Sequence, residues 1–100
     1  MKFEIKIMEQ RSVRYFFRLN QIHRCGINFY CTDDAIALVK ICRDEAVPVL
    51  GLEAFVLTED KTQPCMDNSI DLSYETDCYD IALKFLEERR NLNLLYEVVY

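Results

Sequence analysis

This 100-residue sequence predicts an α+β fold: two amphipathic helices packed on one face of a small, mostly antiparallel or mixed sheet. Three observations predict it. Two windows, TDDAIALVKICRDEA (32–46) and TDCYDIALKFLEERR (76–90), repeat apolar residues at helical spacing. The segments KFEIKIM (2–8), PVLGLEAFVL (48–57) and LLYEVVY (94–100) carry strand patterning. No repeat, low-complexity tract or Gly/Ser/Pro-rich linker divides the chain, so residues 1–100 read as a single domain.

In KFEIKIM, Phe3, Ile5 and Ile7 alternate with Lys2, Glu4 and Lys6, the period-two pattern of a strand with one wet face. SVRYFFRLNQIHRCG fits two structures. Val13, Phe16 and Phe17 suit a helix, while the β-branched and aromatic content suits a strand over 13–18 followed by a short helical turn stopped at Gly26; the second is favoured. The helix over 32–46 starts at Thr32, read as an N-cap, with Asp33 and Asp34 at the positive end of the dipole. Ala35, Leu38, Val39, Cys42 and Ala46 form its apolar stripe, and Pro48 ends it by disfavouring helical geometry at Val47.

PVLGLEAFVL is apolar on both faces, as a strand central in a sheet should be, with Glu53 as its one charge. Thr58 to Tyr74 reads as a long loop. In the second helix Cys78, Ala82, Phe85 and Leu86 make the buried stripe, and LLYEVVY closes as a strand beside an earlier one.

Composition narrows the function. With 51% hydrophobic and 29% charged residues, the chain has the apolar content of a folded domain. A net charge of -5 argues against a nucleic-acid partner, which needs a surplus of cations on one surface. Residues 1–24 hold six bases against two acids, a local +4, which leaves -9 on the other 76 residues. Those bases lie among core-type residues and read as a solvated face. The N-terminus alternates charge with apolar residues, so no membrane anchor or secretory signal is expected. Five cysteines, an odd number without a CxxC pair, fit a reducing compartment; a cytoplasmic location is expected.

Catalytic motifs are sparse. Gly26 and Gly51 are the only glycines, so neither a GxGxxG fingerprint nor a P-loop exists, and no cofactor is expected. His23, Cys25 and Cys31 leave a zinc site one ligand short, and His23 with Cys25 lacks an orienting third group. DKTQPCMDNSID has Pro and no Gly where a calcium loop needs a central Gly. No catalytic or metal residue is assigned, and a non-enzymatic protein is expected.

The charge that remains lies in 53–80. Val56 to Asp80 holds seven acids, Glu59, Asp60, Asp67, Asp71, Glu75, Asp77 and Asp80, against Lys61. Part of this is turn and helix-capping chemistry, by Asp67, Asn68, Ser69 and the acids that precede the second helix. The rest suits a protein interface, because Met66, Ile70, Leu72 and Tyr74 stand among the acids: charge steers a basic partner and aromatics hold it. Glu53, Glu59, Asp60, Met66, Asp67, Asn68, Asp71, Tyr74 and Glu75 are the candidate partner-binding residues. Glu53 is expected at the open sheet face.

The order GIN (26–28), a helix from Thr32, VPVLG (47–51), QP (63–64), DN (67–68), a second helix and a terminal strand resembles immunity protein family forty of bacterial polymorphic toxin systems. The resemblance covers residues 26–100 and implies a cytoplasmic antidote that binds and neutralises a cognate toxin. The alternatives are a non-enzymatic subunit or adaptor of another bacterial complex and, more distantly, a small enzyme.

Overall fold

The structure, a computed structural model, describes residues 21–100; the strands expected at 2–8 and 13–18 lie outside them. The described chain begins with a β-hairpin. β1 (Gln21–Arg24) and β2 (Ile27–Cys31) pair antiparallel in register Arg24↔Ile27 through His23↔Asn28 to Gln21↔Tyr30. This corrects the helical turn expected before Gly26. Cys25 (φ 54) and Gly26 (φ 76) are both left-handed, the pair that a two-residue type I′ turn requires because its twist matches the strands. Gly26 stops a strand here, and β-branched and aromatic residues follow it directly.

Helix α1 (Thr32–Asp44) follows β2 without a break. Thr32 is its first residue rather than its cap. The N-cap is Cys31, which makes no side-chain cap bond, and the Thr32 side chain is buried. Asp33 and Asp34 occupy the first turn as expected. At the other end the Val47 N–H bonds Cys42 O (2.8 Å) and the Ala46 N–H bonds Arg43 O (3.1 Å), a Schellman closure with Ala46 at its left-handed position (φ 56). Ala46 therefore stands in solvent and drops out of the expected stripe, while Ile36 and Ile41 join Ala35, Leu38, Val39 and Cys42 inside.

β3 (Gly51–Leu57) is central, as its apolar pattern predicts. On one side it pairs antiparallel with β6 (Leu95–Val99); on the other it pairs with β4 (Thr62–Pro64) and β5 (Ile70–Asp71). β6 also pairs with β2, giving the order β1-β2-β6-β3-β4 with every pair antiparallel. The last strand thus inserts between two earlier ones. Helix α2 (Cys78–Glu88) precedes it and buries Cys78, Ala82, Phe85 and Leu86, the predicted stripe.

Both helices cover one face of the sheet. Leu52↔Val98, Ala54↔Tyr96 and Tyr30↔Tyr96 are cross-strand neighbours, and Tyr30, Leu52, Ala54, Tyr96 and Val98 share one core with the helical stripes. The Tyr79 hydroxyl donates to Val47 O at 3.0 Å and ties α2 to the chain between α1 and β3. Alternation sends Phe29 and Phe55 to the opposite face, where they meet edge-on with centroids 4.9 Å apart, and both are buried. The sheet curls around this pair. Arg24 Nη1, at the end of β1, the outermost of the described strands, reaches Thr58 O (2.7 Å) and Lys61 O (3.1 Å) in the turn between β3 and β4.

The expected loop of 58–74 is not a free loop, and nearly half of it is regular structure. It runs back along β3 as β4, a 3₁₀ turn (Met66–Asn68) and β5. Cys65 N–H bonds Ala54 O (2.8 Å), and the Ser69 hydroxyl accepts from Ala54 N–H (2.9 Å) and donates to Cys65 O (3.0 Å). One serine thereby satisfies the backbone where the strand pairing lapses.

Candidate functional site

Period two on β3 puts Glu53 with Gly51 and Phe55 on the face away from the helices. Its cross-strand neighbour on β6 is Glu97. Two carboxylates therefore face each other across a strand pair, where like charges repel. Glu53 is exposed and Glu97 half-buried. Continuing the Tyr30↔Tyr96 pairing by one residue sets buried Phe29 beside Glu97. Burial first, then a side-chain hydrogen bond with Glu53 and its negative charge, raise the Glu97 carboxyl above the ordinary glutamate range. The pair is an acceptor for cations, or the holder of one shared proton.

Beside Glu53 lies a shallow groove of about 390 Å³, between β3 and the segment that returns along it. Met66, Ile70 and Val99 supply apolar wall, and Glu53, Ser69, Asp71 and Ser73 supply polar groups. Gly51 lets β5 approach: a Cβ there would sit 3.1 Å from Ile70 O. Asp71 Oδ1 accepts from the Ser73 hydroxyl (2.6 Å) and the Ser73 N–H (2.9 Å), and these two bonds hold its carboxyl below the usual aspartate range. Asp71 is thus a fixed negative charge at the groove end. A second groove, of about 230 Å³, is lined by Asn28, Glu97 and Tyr100, and Val99 borders both.

The nine predicted partner-binding residues do not form one patch. Glu53, Met66 and Asp71 line the first groove. Asp67 and Asn68 follow Met66 on the 3₁₀ turn; that turn has no side-chain cap bond, so the expected capping by these two is corrected. Of the three expected turn formers Ser69 does bond the backbone, and Asp71 adds a bond from the Ser73 N–H. Met66 (76% exposed) and Tyr74 (96%) project into solvent, whereas Leu72 belongs to the core and Ile70 is half-buried. Tyr74 and Glu75 lie past β5, at the Gly51 end of β3. Glu59 and Asp60 sit in the turn after Leu57, some six residues or roughly 20 Å along the strand from Gly51.

Sequence reasoning missed Glu97. Its alternation with Tyr96 and Val98 is a signal that it faces away from the core, but not that β6 lies against β3. The residues weighed for nucleophilic or metal chemistry are dispersed. His23 Nδ1 lies 2.6 Å from Asn28 Oδ1, Cys25 is in the hairpin turn, and Cys31 is at the far end of β2. Cys42 is buried, and that burial, with Cys78 beside it, pushes its thiol up to about 12, far from thiolate reactivity at neutral pH. All five cysteines are free thiols. Among the described residues no three His, Cys, Asp or Glu side chains gather as a metal site, and no helix is long and apolar enough to cross a membrane.

No protein family, curated protein or solved structure matches the chain.

Proposed function

We propose that this chain is a non-enzymatic interaction protein of immunity type, which binds a basic protein domain, a toxin in this reading, in the cytoplasm and neutralises it by occupying its surface. One observation carries the reading. Glu53 and Asp71 flank a groove walled by exposed Met66, and the described ion pairs (Arg43–Asp44, Arg89–Glu88, Arg90–Asp33 and Arg90–Glu87) leave both acids aside. Exposed acids of this kind steer encounter with a basic surface, and Met66 and Tyr74 provide the desolvated contacts that slow dissociation.

The test is co-purification with the C-terminal domain encoded by the adjacent reading frame, followed by both rate constants against ionic strength. Screening acts beyond roughly 10 Å at 0.1 M salt, so association slows with salt more than dissociation quickens. A flat association rate removes the steering role.

A small enzyme is the second reading, and the Glu53–Glu97 pair is the observation that favours it, because a carboxyl held above the ordinary glutamate range with a second carboxyl facing it across the strands suits acid–base work. Glu97→Gln separates the two. Protection lost with fold and binding intact points to catalysis.

A further inference from the structure

We propose that the groove between β3 and its returning segment, with the Glu53–Glu97 pair at its edge, is the receptor for one arginine side chain carried on an extended segment of the partner. The inference deepens the interaction reading and rests on it. The groove has the character that an arginine needs: Met66, Ile70 and Val99 form an apolar wall for the methylene stem, and Glu53 and Asp71 line it beside them. The head group is chosen by the pair. Two carboxylates on adjacent strands offer four oxygens side by side, and a planar guanidinium with five N–H donors serves both at once, which the compact ammonium of lysine does less well.

Charge complementarity selects this occupant over the others. When both acids are ionised they repel one another across the strands, a repulsion that a cation between them relieves, and no described Lys or Arg pairs with either. A second copy of the chain would bring a net charge of -5 to an acidic face. A metal ion would find no third His, Cys, Asp or Glu ligand among the described residues.

The experiment titrates the whole protein with acetyl-Gly-Arg-Gly-amide, and in parallel with the Lys and citrulline peptides, following backbone amide and glutamate carboxyl NMR signals. The Arg peptide moves the signals of Gly51, Glu53, Met66, Glu97 and Val99 together. The Lys peptide binds about tenfold more weakly, the citrulline peptide does not bind, and Glu53→Gln and Glu97→Gln each weaken the Arg peptide about tenfold. Met66→Ala, at an exposed position, weakens it with an unchanged fold. Shifts scattered over the acidic surface, equal response to Lys, or undiminished binding by both Gln variants overturns the receptor. Should the neighbouring basic domain bind both Gln variants like the unaltered protein, the receptor is wrong and the interaction reading stands. Should the peptide behave as described while that domain never binds, the arginine site stands and the interaction reading falls.

Discussion

Replacing Glu97 with Gln stabilises the fold near neutral pH, and the gain vanishes in acid. Gln keeps the shape and hydrogen-bonding reach of Glu97 but removes one of two charges that the register sets directly opposite each other. Like charges in that position cost about 0.2–1 kcal/mol, which for a domain of this size is roughly 1–8 °C in Tm. The direction with pH follows from linkage. The folded state holds the Glu97 proton to higher pH than the unfolded chain does, so folding takes up protons and stability declines as pH rises from the unfolded carboxyl range, about 4.3, through the raised folded value. Below that range Glu97 is neutral in both states and the substitution changes little. Around Glu97 the charged neighbour is Glu53 on β3, while β2 presents Phe29. Thermal melts by circular dichroism at about pH 3 and about pH 8, more than a unit below and well above the ordinary range, with Glu53→Gln alongside, measure the effect. A variant that melts no higher than the unaltered protein at the upper pH, or gains equally at both, refutes the repulsive pair.

Ser69→Ala strands the Ala54 N–H beside the lapse in strand pairing, and chemical denaturation should read a loss of about 1–3 kcal/mol. Ala46→Gly relieves the left-handed strain at the end of α1, a cost of about 1–2 kcal/mol per residue less the greater entropy of Gly, so a net gain of about 0.5–1 kcal/mol is expected in the same assay. Met66→Ala and Tyr74→Ala leave Tm nearly unchanged, because both side chains are exposed, while each anchor lost costs about 2 kcal/mol or more in partner affinity by calorimetry. Lowered Tm with unchanged affinity in both variants would make these residues scaffold.

Where local chemistry decides the structure, the sequence is legible. Cys78, Ala82, Phe85 and Leu86 had only to follow the helical period to be the buried stripe of α2, and the two-sided apolarity of β3 already marks a central strand. The exposed setting of Glu53 is legible too, because a lone carboxylate in an apolar strand belongs at water. Local pattern misleads where two chemistries share a signal. QIHRCGINFYC is short and mixed, and only the positive φ of Cys25 and Gly26 makes it a hairpin. Asp67, Asn68 and Ser69 are all turn formers by type, yet of the three it is Ser69 that holds the backbone, with Asp71 beyond it.

By itself the sequence determines two helices, a central strand, a closing strand and an acidic stretch, since each follows from periodicity or charge within a dozen or so neighbouring residues. The insertion of β6 between β2 and β3 belongs to the tertiary structure, because strand order is set by pairing between segments far apart in the sequence. The same step sets Glu97 against Glu53, 44 positions apart in the sequence, and folds the acidic stretch back along β3 so that Glu53, Met66 and Asp71 share one groove while Glu59 and Asp60 go to the other end. Register between distant strands is fixed by packing summed over the whole sheet, and no local window of residues contains that sum.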